Sequence, residues 1–363
     1  MSKNATSNAV NWLLEPDDIG VRYLALRDLV KDGGAEIGLA RTKAHKEGPI
    51  AEVLAAMVPE GYWVTPGPGY NPKYRSTVWS IILLSQLGAS PDADRRVASA
   101  CSYLLDHALT EQGQFTVNGN ASGTLDCLQG NLCAAMLDLG CADSRVDKAF
   151  EWMARSVTGV GVAPLPQKNA ESQSKVRANA SLFHSPVSDT KFSLRYFAGK
   201  CGPNFACGAN NKLSCAWGAT KVMLAFSKLP KQRRTPLIVS AIKAGVDFLF
   251  SRDPAEADYP SGWAPKPSGN WWKFGFPVFY VTDILQIAET LVGLRHGEDP
   301  RLARALAVIR EKQDGQGRWA LEYDYSGKTW VEFGQAKQPN KWVTLRALRV
   351  LNAAGSETAA GAR

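Results

Sequence analysis

Apolar residues recur along this chain in short dense blocks that end in Leu and then often Gly or Pro. They are TVWSIILLSQLG (77–88), LQGNLCAAMLDLG (128–140), GATKVMLAFSKLP (218–230), TDILQIAETLVGL (282–294) and TLRALRVL (344–351). VRYLALRDL (21–29) is a sixth, its ALRDL matching the ALRVL at 347–351. Blocks that are apolar on nearly every face predict helices buried on all sides. Between them runs a different pattern. Val97, Ala100, Cys101, Leu104 and Ala108 fall at i, i+3, i+4, i+7 and i+11; Val146, Ala149, Phe150, Met153 and Val157 repeat that spacing, and Leu302, Ala305, Leu306 and Ile309 begin it again. One apolar stripe beside a polar face predicts amphipathic helices with one wet side. SPDADRR and GEDPRL, between block and stripe, read as turn plus N-cap.

A third element follows the amphipathic helices: Gly, one residue, then an aromatic. It occurs as Gly61-Tyr62-Trp63, Gly113-Gln114-Phe115, Gly269-Asn270-Trp271 and Gly317-Arg318-Trp319. The glycine supplies positive φ past a helix end, and the aromatic folds back as a core anchor. Six buried helices alternating with wet ones predict an all-α fold, an (α/α)6 toroid with an inner apolar ring and an outer amphipathic ring. The N-terminal AVNWLLE (9–15) is expected to partner the last inner helix, so that the ring closes without capping repeats. The expected layout is a single domain over 1–355, an insertion at about 158–211 and a disordered tail at 356–363.

Composition changes little of this. The chain has 363 residues, 45% of them hydrophobic. No apolar run is long enough for a transmembrane helix, and the N-terminus lacks a secretory pattern, so a soluble cytoplasmic protein is expected, its seven cysteines reduced. The formal charge is +8. The basic residues are spread out, the densest group being Lys228, Lys231, Arg233 and Arg234, and no nucleic-acid motif or P-loop occurs. The expected partner is a small hydrophobic or anionic molecule rather than nucleic acid, and a homo-oligomer is allowed.

Candidate chemistry gathers where the repeat breaks. The interval from Leu139 to Leu229 is the longest between successive blocks, and TGVGVAPL stands where a Gly-x-aromatic belongs. Long loops inside compact folds are usually functional or disordered. This one carries His184, Asp189, Lys191, Arg195, Tyr196, Cys201, Cys207 and Cys215. Cys201, Cys207 and Cys215 with His184, Asp189 or water could ligate zinc, though the spacing is wider than in zinc fingers. The same residues also fit a Cys201–Cys207 disulfide, independent thiols, or a nucleophilic Cys215 at a helix N-terminus. At the starts of the inner helices stand Asp126 and Cys127, Tyr280 and Asp283, and Glu332. Carboxylates facing an apolar cavity would have raised pKa values and act as acids, whereas capping or hydrogen bonding to a neighbouring helix is the structural alternative. Trp79, Asn131, Trp217, Trp272, Trp330 and Trp342 are expected to line the cavity, or else to be core. His45, His107 and His296 read as structural, and no Gly-x-Ser-x-Gly elbow is present.

With its repeats, and with EKQDGQGRWAL (311–321) close to a Gln-x-x-Asp-Gly-x-Trp signature that has one extra residue before the aromatic, the chain resembles the α/α toroids of the prenyltransferase and squalene-cyclase superfamily. It most nearly resembles bacterial single-toroid members. The resemblance implies an active site in a central, mostly apolar cavity. The family's reactive motifs are missing: no Asp-x-Asp-Asp, no Asp-Asp-x-x-Asp, no zinc-binding Asp-x-Cys and no Cys-His pair. The leading expectation is an enzyme of lyase or isomerase type. It would carry out acid–base or metal-assisted cyclisation, isomerisation, hydration or elimination on a small hydrophobic or aromatic, terpenoid-like molecule, with Asp126 and Asp283 as acids and Tyr280 as donor. The alternatives are a glycosidase- or lyase-like carbohydrate enzyme and a non-catalytic binding scaffold.

Overall fold

The computed structural model describes residues 3–30, 34–160 and 201–361. They are mostly helical: α1 (Lys3–Leu13), α2 (Ile19–Asp28), α3 (Gly34–Lys46), α4 (Pro49–Ala55), α5 (Thr77–Leu87), α6 (Arg96–Ala108), α7 (Asp126–Asp138), α8 (Arg145–Thr158), α9 (Ala216–Lys228), α10 (Pro236–Leu249), α11 (Ile284–Gly293), α12 (Ala303–Glu311) and α13 (Lys341–Gly361). The six apolar blocks are α2, α5, α7, α9, α11 and α13. These helices pack against one another in that order, and α13 returns to contact α2. On α5, every residue from Thr77 to Leu84 is buried, as its all-round apolar sequence requires. The striped helices α6, α8 and α12 each bury one face. The helix expected near the N-terminus is α1, and it packs on α13 and α2.

The Gly-x-aromatic element works as a joint. Gly61, Gly113 and Gly317 have φ of 99°, 92° and 85°; Gly269 lies in a short 3-10 turn and does not share this geometry. The backbone N–H of each following aromatic is caught by a side chain on the first turn of the next inner helix: Trp63 by Thr77 Oγ1 (3.1 Å), Phe115 by Gln129 Oε1 (2.7 Å) and Trp319 by Thr344 Oγ1 (2.9 Å). The indoles of Trp63 and Trp319 reach back to the last-turn carbonyls of Val53 and Ile309, both at 2.7 Å. Trp63 and Trp319 thus tie α4 to α5 and α12 to α13, and the burial of each anchor adds the apolar stabilisation of a large aromatic.

α7 and α9 approach most closely. A Cβ on Gly130 would lie 2.3 Å from the Lys221 carbonyl carbon, so only glycine lets these backbones meet. The loop before α11 runs among the inner helices. Gln86 of α5 accepts from Val278 N–H and donates to Val278 C=O, both at 2.8 Å, and Asn131 of α7 donates to Phe279 C=O at 3.2 Å. Phe276, Val278 and Phe279 are buried there, forming a wedge where an open apolar cavity was expected.

Two further segments singled out in the sequence complete the fold. The segment expected as a disordered tail continues α13 as helix to Gly361. Most of the insertion, with His184, lies outside the described residues; its described end is a small antiparallel pair, β1 (Cys201–Gly202) and β2 (Ala206–Cys207), that sets Cys201 opposite Cys207. No helix among the described residues is long and apolar enough to cross a membrane.

Candidate functional site

The heads of α7 and α9 lie side by side, and the β1–β2 hairpin joins them. Cys215 is the N-cap residue of α9, and its N–H bonds to Phe205 C=O at 2.9 Å. Asp126 opens α7 and is buried, with Gly218 of α9 leaving room for its Cβ. This brings Asp126, Cys127, Cys201, Cys207 and Cys215 together. The Cys201 thiol lies beside the Asp126 carboxyl, and the Cys215 thiol beside Cys207.

The two buried acids proposed for catalysis differ in surroundings. Asp283 has both oxygens on the Arg346 guanidinium, at 2.9 and 3.0 Å, and also caps α11 through Gln286 N–H at 2.7 Å. It is an ion-paired structural carboxylate, because the α13 arginine neutralises it. Asp126 has no such cation, and its Oδ2 is buried without a hydrogen-bond partner. Burial first, then the neighbouring Cys207, pushes its carboxyl well above the ordinary range, so it holds a proton. Burial likewise pushes the Cys127 thiol up to about 12 and raises Cys201. Cys215 is raised mainly by its bond to Cys207, then by burial.

Tyr280 sits at the end of the wedge, half-buried, its hydroxyl enclosed and without a well-formed hydrogen bond. Its ring lies 5.1 Å from Trp79 and 6.3 Å from Tyr70. Cys127 is close enough to both phenols to raise them electrostatically. The head of α7 therefore presents a protonated carboxyl, thiols, an unpaired phenol and an aromatic wall.

Other expected site residues lie elsewhere. Glu332 is exposed and accepts from Gly327 N–H at 2.7 Å, because its loop faces solvent. Trp342 is core, stacked on Phe276 at 4.6 Å. Trp330 is fixed by Arg75 C=O and Ser80 Oγ. The Trp272 indole bonds to Ala255 C=O at 3.0 Å, and Trp217 packs edge-on to Trp271. Trp79 is fully buried in the aromatic wall. Among the described residues no group of three or more His, Cys, Asp or Glu side chains is arranged to hold a metal ion. His184 and Asp189, the further ligands expected beside Cys201, Cys207 and Cys215, lie outside the described residues.

A cavity of about 290 Å³ lies toward the other ends of the inner helices, bordered by residues of all six. Of the residues expected to line a cavity, Asn131 borders this one. Its wall mixes apolar side chains with charges of both signs: Arg27, Lys228, Arg346 and Arg349 against Asp28, Asp138 and Glu289. Lys228 pairs with Asp138 at 3.0 Å, and Asp28 with both Arg27 and Arg349. Between the two ends lies Lys221, fully buried and donating to Gln286 Oε1. Burial pushes its pKa down to about 7, with Asp283 opposing and Arg346 adding to the shift. Lys221 and Arg346 were missed in the sequence reading; a charge inside an otherwise apolar block is the signal that marks them.

No known family model matches the chain, and no curated protein matches it.

Proposed function

We propose that the chain is a closed α/α toroid of six helix pairs and an enzyme that works at the heads of α7 and α9. Two observations support the ring: the cyclic contacts of the inner helices, and a cavity bordered by all six. The reaction is acid–base chemistry on a small apolar or aromatic molecule, with Asp126 as proton donor and Tyr280 and Cys127 beside it. One observation carries this reading: of the two buried acids among the described residues, Asp126 alone lacks a cation and keeps an unpartnered oxygen. A buried polar atom left unpaired asks for a role, and a carboxylic acid kept neutral in an apolar site is a competent general acid. Protonation of an alkene or enol fits the aromatic wall, which would favour a developing cation.

The test is turnover of small isoprenoids and aromatic alkenes in D2O, followed by gas chromatography and mass spectrometry. The wild-type chain should put one deuterium into the product, and Asp126→Asn should lose about 10²–10⁴-fold in kcat. Undiminished turnover by Asp126→Asn, or no turnover of any member of the panel, would overturn the reading. Stability gives a second readout. Because the folded-state pKa of Asp126 lies above that of the unfolded chain, the folded state holds the extra proton, and stability falls as pH rises between the two values. Asp126→Asn should match wild type at pH 4 and exceed it at pH 8.

A non-catalytic binder is the second reading. It is favoured by the wedge that fills the middle of the helix assembly and by the charged cavity. Binding of small polar molecules without turnover of any substrate would support it.

A further inference from the structure

A second thiol pair lies well away from the proposed site. Cys141 follows the C-terminal end of α7, roughly 20 Å along the helix from Asp126 at 1.5 Å per residue. It is half-buried, in the turn that leads to α8. Cys101 stands on the buried face of α6, and its thiol meets Cys141. The Asp143 backbone N–H points at the Cys141 sulfur, and Arg145 lies nearby. Arg145 is anchored to Asp143 at 2.8 Å and to Asp106 of α6 at 2.7 Å. One half-buried sulfur thus lies beside a buried thiol, next to a guanidinium that ties α6 to its own turn. That is the arrangement of a reactive thiol with a resolving thiol behind it.

We propose that Cys141 is an oxidisable site for hydroperoxides, resolved by Cys101 to a disulfide that staples α6 to the α7–α8 turn. The Cys141 sulfur attacks the outer peroxide oxygen. The S–O bond forms as the O–O bond breaks, and ROH leaves with a solvent proton. The Cys101 sulfur then attacks Cys141; the S–S bond forms, the S–O bond breaks, and the hydroxyl leaves as water with the Cys101 proton. The sum is two thiols and ROOH giving a disulfide, ROH and water.

The electrostatics agree with this order. The hydrogen bond from Cys101 pulls Cys141 down to about 6, against its partial burial and the Asp143 carboxylate, with the Asp143 N–H and Arg145 helping. Cys101 is correspondingly raised, so it keeps its proton until Cys141 is oxidised.

The test treats the reduced full-length chain with one equivalent of hydrogen peroxide at pH 7, blocks the remaining thiols with iodoacetamide, and maps the peptides by mass spectrometry. Two of the seven thiols should be lost, and Cys101 and Cys141 should be joined in one cross-linked peptide. Cys141→Ser should abolish the cross-link. Cys101→Ser should stop at a sulfenic acid on Cys141 that dimedone traps. In the untreated wild type, the rate of Cys141 alkylation should rise with pH about a midpoint near 6. First oxidation at Cys201, Cys207 or Cys215, or a Cys141 midpoint at the ordinary thiol value of about 8.5, would overturn the proposal. The alkylation profile needs no variant and stands even if Cys101→Ser does not fold.

Discussion

Replacing Arg346 by Met should expose how much the Asp283 pair holds. The guanidinium makes two bonds to Asp283, at 2.9 and 3.0 Å, and one to Gly275 C=O at 2.6 Å, all buried. Methionine keeps the apolar length and removes the charge. Asp283 then keeps its bond from Gln286 N–H at 2.7 Å and a long one from Gly275 N–H at 3.4 Å, with no cation bonded to it. Breaking a buried pair by removing one partner costs about 3–5 kcal/mol. The surviving backbone donors place the loss for Arg346→Met near the lower end, about 3 kcal/mol. Asp283→Asn keeps Oδ1, which accepts from both Gln286 N–H and Arg346, but removes the second Arg346 bond and the counter-charge of a buried guanidinium, a loss of similar size. The double variant strands neither charge, so it should lose about 2 kcal/mol less than the two singles together. Lys221 adds a sign. Its pKa of about 7 makes it a cation at pH 6 and neutral at pH 9. Removing Arg346, which itself depresses Lys221, raises that pKa, so the orphaned Asp283 has its fullest substitute counter-charge at the lower pH, and Arg346→Met should cost more at pH 9. Urea unfolding followed by circular dichroism, run on the full cycle at both pH values, measures all of this. Single losses under about 1 kcal/mol, or additivity within about 0.5 kcal/mol, would refute the reasoning.

Two other substitutions test the helix packing. Gly130→Ala places a methyl 2.3 Å from the Lys221 carbonyl carbon, where both neighbours are backbone. It should lower stability by at least about 1–3 kcal/mol, and a neutral urea midpoint would show that α7 and α9 sit further apart. For Lys221, the unfolded chain keeps a proton up to about pH 10.4 that the folded chain releases near 7. Wild-type stability should therefore gain across that window relative to Lys221→Met. At pH 6 the variant should be the more stable by on the order of 1–3 kcal/mol, after losing the Gln286 bond. A gap that widens with rising pH would contradict the buried ammonium.

Local pattern carried much of the architecture. A block apolar on every face can only be a helix surrounded by others, so α5, α7 and α9 were legible, as were the striped α6 and α8 and the joints at Gly61, Gly113 and Gly317. Asp126 was legible for the same reason, a carboxyl at the start of a buried helix. Asp283 looked identical in sequence because the residue that neutralises it, Arg346, stands on another helix. Glu332 failed because a loop between aromatics gives no sign of which way its carboxylate points. The wedge at 276–279 was invisible: Gln86 and Asn131 read as polar interruptions in apolar blocks, and only their distant backbone partners explain them. The contact of Cys101 with Cys141 is hidden in the same way, being a meeting of two helix pairs rather than a motif.

The wedge has a mechanical consequence. Phe276 and Val278 wall the charged cavity, while Tyr280, two residues beyond Val278, packs on Trp79 beside the thiols. The segment bends at Phe276, Pro277, Phe279 and Tyr280, and Gln86 holds it by both polar groups of Val278. An occupant of the cavity large enough to displace Val278 would have to strain or break its two bonds to Gln86, two residues from the Tyr280 phenol. One short segment, held on α5, thus borders both the charged cavity and the aromatic wall.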